Sequence, residues 1–79
     1  MTTAQVTRSI DARDMPCPGP LMSLIGAIRQ GTVGDVIEVL SSDEGSKTDI
    51  PAWLKKAGHE LVEVVEDDGF ARFVVRKVR

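Results

Sequence analysis

The chain has 79 residues and a formal net charge of −2, with 28% charged residues. This length predicts one small domain without room for a large enclosed cavity, and the slight negative charge argues against a general nucleic-acid binder. No apolar run approaches the roughly 20 residues of a membrane span, and the N-terminal MTTAQVTRS lacks the apolar core of a signal peptide. A single cysteine cannot form an internal disulfide. We therefore expect a cytoplasmic protein that does not bind membranes.

The first predicted element is a short strand. Residues 1–7 are polar, and we expect them to form a flexible N-terminus ahead of a single domain at residues 8–79. Between Arg8 and Asp14, the apolar residues Ile10 and Ala12 alternate with charged residues, which is typical of a half-buried strand.

A helix is predicted next, with Pro18 at its first position and Gly31 as a left-handed closing residue. Its apolar residues recur at the spacing i, i+3, i+4, i+7, which forms one face of a helix. They are Leu21, Leu24, Ile25 and Ile28.

The middle of the chain predicts a second strand and a second helix. Val36–Leu40 is apolar apart from one glutamate and indicates a strand. After a polar loop, Thr48 or Asp49 is the expected cap of a helix that carries Pro51 in its first turn and ends at Gly58.

The C-terminal third predicts a β-hairpin. His59–Val65 and Phe70–Val78 have strand patterns, and the segment 66–69, which ends in a glycine, is typical of a tight turn. The element order is β-α-β-α-β-β. We therefore predict an α/β (α+β) two-layer sandwich, in which both helices lie on one face of a small mixed four-stranded sheet.

The lone cysteine, Cys17, lies between Pro16 and Pro18 at the predicted start of the first helix. We expect it at the N-cap, where the helix dipole and the backbone N–H groups lower the pKa of a thiol. Pro18 and Pro20 have no N–H group, so Gly19 and Leu21 are the amide donors expected in the first turn, and the effect is moderate. Gly19 has no side chain and should leave the sulfur approachable.

A docking surface is predicted beside this cysteine. Met15 precedes it by two residues, and Met22, Gly26 and Arg29 share one helical face. Flexible thioethers next to a bare glycine suit contacts with several partner proteins. In the alternative interpretation, Met22 completes the edge of the core and Gly26 packs on the sheet.

The sequence offers the cysteine no catalytic partner. The one histidine, His59, follows the second helix and has no sequence reason to reach Cys17, and there is no metal-ligand spacing and no phosphate-binding loop. We therefore expect no metal and no cofactor. A single thiolate without an acid–base partner suits group carriage, with sulfur bound as a persulfide.

Three segments together resemble the sulfur-carrier family that includes TusA and SirA-like proteins. Cys17-Pro18-Gly19-Pro20 matches the family's Cys-Pro-x-Pro motif. The segments DIPAW at 49–53 and GHEL at 58–61 are similar to its second-helix and third-strand signatures. The resemblance covers about residues 8–77 and implies that Cys17 carries sulfur.

The resemblance also implies partners. Family members receive sulfur from a cysteine desulfurase or a rhodanese and pass it to a DsrE-like protein, for tRNA thiolation, molybdenum cofactor supply or sulfur oxidation. Asp14 stands where a glycine is common, and Gly19 stands where many tRNA-thiolation members carry glutamate, so we favour a carrier in sulfur metabolism. We expect a monomer that acts as a sulfurtransferase without a full active site of its own.

Two other hypotheses stay open at this point. A binding or regulatory module of the same fold would make the cysteine incidental. A haem sensor would use the Cys-Pro dipeptide as a thiolate ligand, for which the sequence signal is weak.

Overall fold

The computed structural model describes residues 6–16 and 18–79, so the predicted carrier position 17 and residues 1–5 lie outside the described residues. Six elements follow in the order β-α-β-α-β-β, as predicted. They are β1 (Arg8–Asp11), α1 (Gly19–Gln30), β2 (Val36–Ser41), α2 (Ser46–Ala57), β3 (Glu60–Asp67) and β4 (Phe70–Arg76).

The four strands form one mixed sheet in the order β1-β2-β4-β3. β1 is parallel to β2, whereas β4 runs antiparallel to both β2 and β3. Since β1 and β2 are parallel and adjacent, α1 crosses over the sheet between them. The two-layer fold and the mixed four-stranded sheet were therefore predicted correctly.

One hydrophobic core lies between the sheet and both helices. In register, Val39 of β2 faces Phe73 of β4, and both side chains are almost fully buried. α1 contributes Leu24 and α2 contributes Leu54 to the same cluster, so both helices cover one face of the sheet. Of the stripe predicted for the first helix, Leu24 and Ile28 belong to this core and Leu21 packs against it, whereas Ile25 is only half-buried.

The other face of the sheet is covered by its own charged side chains. Val74 lies on this face and is fully buried. Arg72 spans two neighbouring strands, with its guanidinium 3.8 Å from Glu38 and 3.6 Å from Glu63, and Arg76 pairs with Glu60. The aliphatic parts of such side chains can shield an apolar residue while their charges stay in water.

The start of α1 differs from the prediction by one residue. The helix begins at Gly19, and Pro18 is its N-cap rather than its first residue. The backbone N–H of Gly19 bonds to the carbonyl of Pro16 at 2.8 Å. This turn precedes the helix. The first regular helical hydrogen bond is therefore the one from Met22 N–H to Pro18 O.

The prediction of a left-handed Gly31 was wrong. Gly31 is extended, with φ −88° and ψ 180°. The ammonium of Lys77 donates to the carbonyls of Ile28 at 2.7 Å and Gly31 at 2.9 Å. A side chain from the end of the chain therefore satisfies carbonyls that a left-handed cap would otherwise help to satisfy.

The second helix begins earlier than the sequence indicates. α2 starts at Ser46 with Gly45 as its N-cap, so neither Thr48 nor Asp49 caps it and Pro51 lies inside the helix. The Ser46 hydroxyl is buried and lies 2.7 Å from the Ser41 hydroxyl of β2. This contact links the end of β2 to the additional helical turn ahead of Pro51. Gly58 ends the helix in the left-handed region, with φ 84°.

Candidate functional site

The loop between β1 and α1 is attached to the core at its first residue. Ala12 is fully buried, and its N–H bonds to the carbonyl of Leu40 at 2.9 Å. Asp14 donates its backbone N–H to the Ser42 hydroxyl at 3.0 Å and has a φ of 73°. The loop therefore needs a left-handed residue at the position where the family resemblance expects glycine.

The residues on either side of position 17 form a turn that leads into α1. Pro16 and Pro18 are both exposed, and the hydrogen bond from Gly19 N–H to Pro16 O spans the turn. This bond uses the amide that we had expected to remain available at Gly19. The prediction that Cys17 is the N-cap was wrong, because Pro18 occupies that position. The conformation of Cys17 itself lies outside the described residues.

Gly19 lies against Met15, and the predicted approach to the Cys17 sulfur past Gly19 falls outside the described residues. A Cβ atom at Gly19 would lie 3.0 Å from Met15 Cβ and 3.5 Å from Met15 Sδ. Met15 therefore occupies the volume that a side chain at position 19 would need.

Pro20, the last residue of the motif, and Leu21, which follows it, attach the first turn of α1 to the protein. Pro20 is buried, and Leu21 packs against the hydrophobic core. They hold the start of the helix on the sheet, while Pro16, Pro18 and Met22 remain at the surface.

The predicted docking residues lie on an accessible part of the surface. Met22 is 58% exposed and Met15 is 41% exposed. A Cβ atom at Gly26 would meet no other atom within 4 Å, and Arg29 is exposed. The alternative in which Met22 completes the core and Gly26 packs closely on the sheet is therefore wrong.

A shallow depression next to this loop was not predicted from the sequence. It has a volume of about 300 Å³ and is lined by Asp14, Met15, Pro16, Ser42 and Asp43. β1 and β2 are parallel, so the loops that follow them meet at one edge of the sheet. The parallel pairing was the signal that could have placed Ser42 and Asp43 beside the loop.

An ion pair at the same edge keeps one carboxylate charged. Arg13 donates to both oxygens of Asp11, at 2.9 and 2.8 Å. These hydrogen bonds lower the pKa of Asp11 to about 2. The Arg13 guanidinium also lies 5.0 Å from the centre of the Phe70 ring.

His59 lies where α2 passes into β3. Its Nδ1 accepts a hydrogen bond from the Val78 N–H at 3.2 Å, and its ring centre is 5.8 Å from that of Trp53. Burial is the main cause that lowers the pKa of His59. These contacts tie the histidine to the C-terminal segment, whose Lys77 binds the end of α1 rather than its beginning.

The described ranges 6–16 and 18–79 contain neither a candidate metal site nor a membrane-spanning helix. Within them, no group of three or more His, Cys, Asp or Glu side chains is arranged to hold a metal ion. No helix in the same ranges is long and apolar enough to cross a membrane.

The chain is similar to known proteins over nearly its whole length. A family model described as sulfurtransferase TusA matches residues 8–77. A protein of Archaeoglobus fulgidus, named as a candidate sulfur carrier, is 57% identical over 70 residues, which cover 89% of this chain and 96% of that protein. The sulfur carrier protein TusA of Pseudomonas aeruginosa is 35% identical over 75 residues, with 95% of each chain covered.

The fold also matches a solved structure. The crystal structure of a SirA-like protein from Desulfitobacterium hafniense superposes with a TM-score of 0.79 and 23% sequence identity. The match covers 91% of this chain and 99% of that chain, which shows the same two-helix, four-strand fold. With the family model spanning residues 8–77, the chain belongs to the TusA sulfurtransferase family.

Proposed function

We propose that this protein is a sulfur carrier that holds sulfane sulfur as a persulfide on Cys17. The Cys17 thiolate attacks the outer sulfur of a donor persulfide, forming a new S–S bond, and the donor leaves as a thiolate. In the second step, an acceptor thiolate attacks the outer sulfur on Cys17 and releases the Cys17 thiolate. Sulfur moves without net oxidation, and neither step needs a cofactor.

The location of the Cys-Pro-x-Pro motif is the observation that carries this proposal. Cys17 is the only cysteine in the chain, so a thiol-based carrier has no other residue to use. The prolines on both sides of it are exposed, and the motif leads directly into α1. The relatives from Archaeoglobus and Pseudomonas carry names that refer to sulfur carriage, which agrees with this role.

The electrostatics of α1 favour a moderately activated thiolate. A helix N-terminus carries about half a positive charge, which stabilises a nearby anion. The first turn of α1 contains no acidic residue that would oppose this effect. Because Gly19 N–H already bonds to Pro16, and Pro20 has no N–H group, few amides add to the stabilisation. A thiolate of moderate stability can accept sulfur and also leave from it.

We further propose that partner proteins dock on the surface formed by Met15, Met22, Gly26 and Arg29. The exposed thioethers can adapt to different partners, and the bare Gly26 lets a partner approach the helix. The donor would be a cysteine desulfurase or a rhodanese, and the acceptor a DsrE-like protein. We favour sulfur oxidation over tRNA thiolation as the pathway, since Gly19 brings no charge to the motif.

A relay experiment tests the carrier function. The protein is incubated with a cysteine desulfurase and ³⁵S-labelled cysteine, separated from the enzyme and then mixed with a DsrE-like protein. We expect label on the wild type and its later appearance on the acceptor, and no label on the Cys17→Ser variant. Equal labelling of the Cys17→Ser variant would refute the proposal, and a pathway that proceeds normally with that variant would favour a binding module.

The docking surface has its own test. We expect Met22→Glu to raise the KM for the desulfurase about tenfold, because a charge replaces an exposed thioether at the contact. The melting temperature should remain within about 2 °C of the wild type, since Met22 lies outside the core. Glu44→Gln, an exposed change away from this surface, is the control. An unchanged KM in a folded Met22→Glu variant would exclude Met22 from docking.

A further inference from the structure

Met15 contacts the first turn of α1 at two places. Its side chain lies against the bare Cα of Gly19, so closely that an added Cβ would be 3.0 Å from Met15 Cβ. One helical turn further on, the Ser23 hydroxyl lies 3.9 Å from Met15 Sδ and donates a hydrogen bond to it. Met15 is 41% exposed, so it combines these contacts with a surface position.

The backbone reinforces this side-chain contact. The Met15 N–H bonds to Ala12 O at 3.2 Å, and Ala12 is fully buried. On the other side of position 17, Gly19 N–H bonds to Pro16 O at 2.8 Å. The segment that contains the carrier position is thus connected at one end to the core and at the other end to α1.

We propose that Met15 is a positioning residue, which braces the β1–α1 loop against the first turn of α1 and thereby restricts the motion of the segment that carries Cys17. Gly19 is its complement, because a Cβ atom at position 19 would lie 3.0 Å from Met15 Cβ and the two residues would have to move slightly apart. The effect of a helix terminus on a charge falls off beyond the first turn, so a loosened loop weakens the stabilisation of the thiolate. This inference deepens the proposed role of Cys17 and rests on it for its consequence in sulfur transfer.

The pH profile of Cys17 alkylation tests the proposal. The rate of reaction with iodoacetamide is measured between about pH 5 and pH 9, since the thiolate is the reacting form and Cys17 is the only cysteine. For Met15→Ala we expect the midpoint to move upward, with a roughly fivefold lower rate at low pH. Met15→Leu, which preserves an apolar side chain of similar volume, should retain the wild-type midpoint.

A double-mutant cycle tests the pairing with Gly19. Gly19→Ala alone should move the midpoint in the same direction as Met15→Ala, because the new Cβ pushes Met15 away. In a Met15→Gly background, which also removes the Cβ atom 3.0 Å away, Gly19→Ala should add no further shift. Val33→Ala, a truncation of an exposed side chain beyond the far end of α1, is the matched control and should leave the midpoint unchanged.

Two outcomes would overturn the proposal. One is an unchanged midpoint in a Met15→Ala variant with wild-type circular dichroism, and the other is full additivity of the two substitutions. The alkylation profile does not depend on sulfur transfer. If the ³⁵S relay fails while Met15→Ala shifts the alkylation midpoint, the proposed function is wrong and the positioning role of Met15 stands. If the relay works and the midpoint does not shift, only the positioning role is refuted.

Discussion

Asp14 is the residue with the least favourable backbone conformation in the described part of the chain. Its φ of 73° lies in the left-handed region, which glycine adopts freely and which costs other L-residues roughly 1–2 kcal/mol, with Asp and Asn among the more tolerant. The bond from its N–H to Ser42 Oγ helps to hold this conformation. The strained residue lies three positions before Cys17, in the loop that Met15 braces.

We predict that Asp14→Ala lowers the free energy of unfolding by about 1 kcal/mol, because alanine tolerates the left-handed region less well than aspartate. Asp14→Gly should be neutral or slightly stabilising, since it removes the strain while the backbone bond to Ser42 remains possible. Urea denaturation of the two variants measures the difference. Equal destabilisation by alanine and glycine would show that the carboxylate, rather than the backbone, matters at this position.

The sequence predicted part of the site at this scale and not all of it. Pro18 and Gly19 pointed to the start of a helix because their backbone preferences are local. The contact between Met15 and Gly19 could not be predicted, since it depends on how the loop folds back over the first turn of α1.

At the scale of the elements, the end of α1 is held by the C-terminal segment. Lys77, which follows β4, donates to the carbonyl of Ile28 in the last turn of α1 and to that of Gly31, its C-cap. A positive charge at a helix C-terminus is favourable, and its hydrogen bonds satisfy carbonyls that a regular helix leaves unpaired. The chain end and α1 are therefore energetically coupled.

We expect Lys77→Met to reduce the free energy of unfolding by about 1–2 kcal/mol, since it keeps most of the aliphatic stem but removes the charged donor. Lys55→Met, which removes an exposed charge from the last turn of α2, is the comparison and should cost less than about 0.5 kcal/mol. Urea titrations at one pH measure both. Similar losses in the two variants would contradict the special role of Lys77.

His59 makes the same end of the molecule sensitive to pH. Its Nδ1 accepts the Val78 N–H, and its pKa is lowered from 6.5 by burial and by the charges of Arg79 and Lys77. Because the folded protein binds this proton more weakly than the unfolded chain, protonation below about pH 6.5 favours unfolding. The stabilisation from neutral His59 is therefore complete above pH 6.5 and decreases as the pH falls towards the lowered pKa.

We predict that the wild type loses stability between about pH 7.5 and pH 5.5, and that His59→Gln loses less over this range. This pH range lies above the pKa values of Asp11 and Glu66, both of which are lowered by their ion-pair partners, so these two carboxylates stay charged throughout it. Denaturation midpoints of both proteins at the two pH values provide the measurement. Parallel losses in wild type and variant would assign the pH dependence to another group.

The boundaries of α2 show why element ends were harder to predict than elements. Pro51 indicates a first turn by its own chemistry, yet the helix starts at Ser46. The hydroxyls of Ser41 and Ser46, five residues apart, meet where β2 turns into α2, and the Gly45 N–H bonds to Asp43 Oδ1 in the same turn. The apolar spacing of the sequence gives no sign of these polar contacts. Gly58, whose left-handed conformation needs no tertiary partner, ended the helix where the sequence indicated.

For the molecule as a whole, a small core carries most of the stability. Leu24 is fully buried between α1 and the sheet, in a cluster that also includes Phe73 and Leu54. The fold itself could be predicted because this apolar pattern changes from helical spacing to strand alternation at clear points along the chain. On the open face of the sheet, the complete burial of Val74 under charged side chains was not visible in the pattern.

We predict that Leu24→Ala lowers the free energy of unfolding by about 2–5 kcal/mol, as expected for a truncation in a packed core. A domain of this length has a total of roughly 4–12 kcal/mol, so the variant should be partly unfolded at 37 °C. Met22→Ala, which truncates an exposed side chain on the same helix, should change stability by less than about 0.5 kcal/mol. Thermal and urea denaturation of the two variants measures the difference. Similar losses of stability would show that the core face of α1 was wrongly assigned.

The central claim is that this small domain carries sulfur on Cys17, and intact-mass spectrometry tests it most directly. After incubation with inorganic polysulfide and removal of the excess, the wild type should gain about 32 Da, the mass of one sulfur atom, and lose it on adding dithiothreitol. The Cys17→Ser variant should show no gain under the same conditions. A wild type that remains unmodified, or a Cys17→Ser variant that gains the same mass, would contradict the claim.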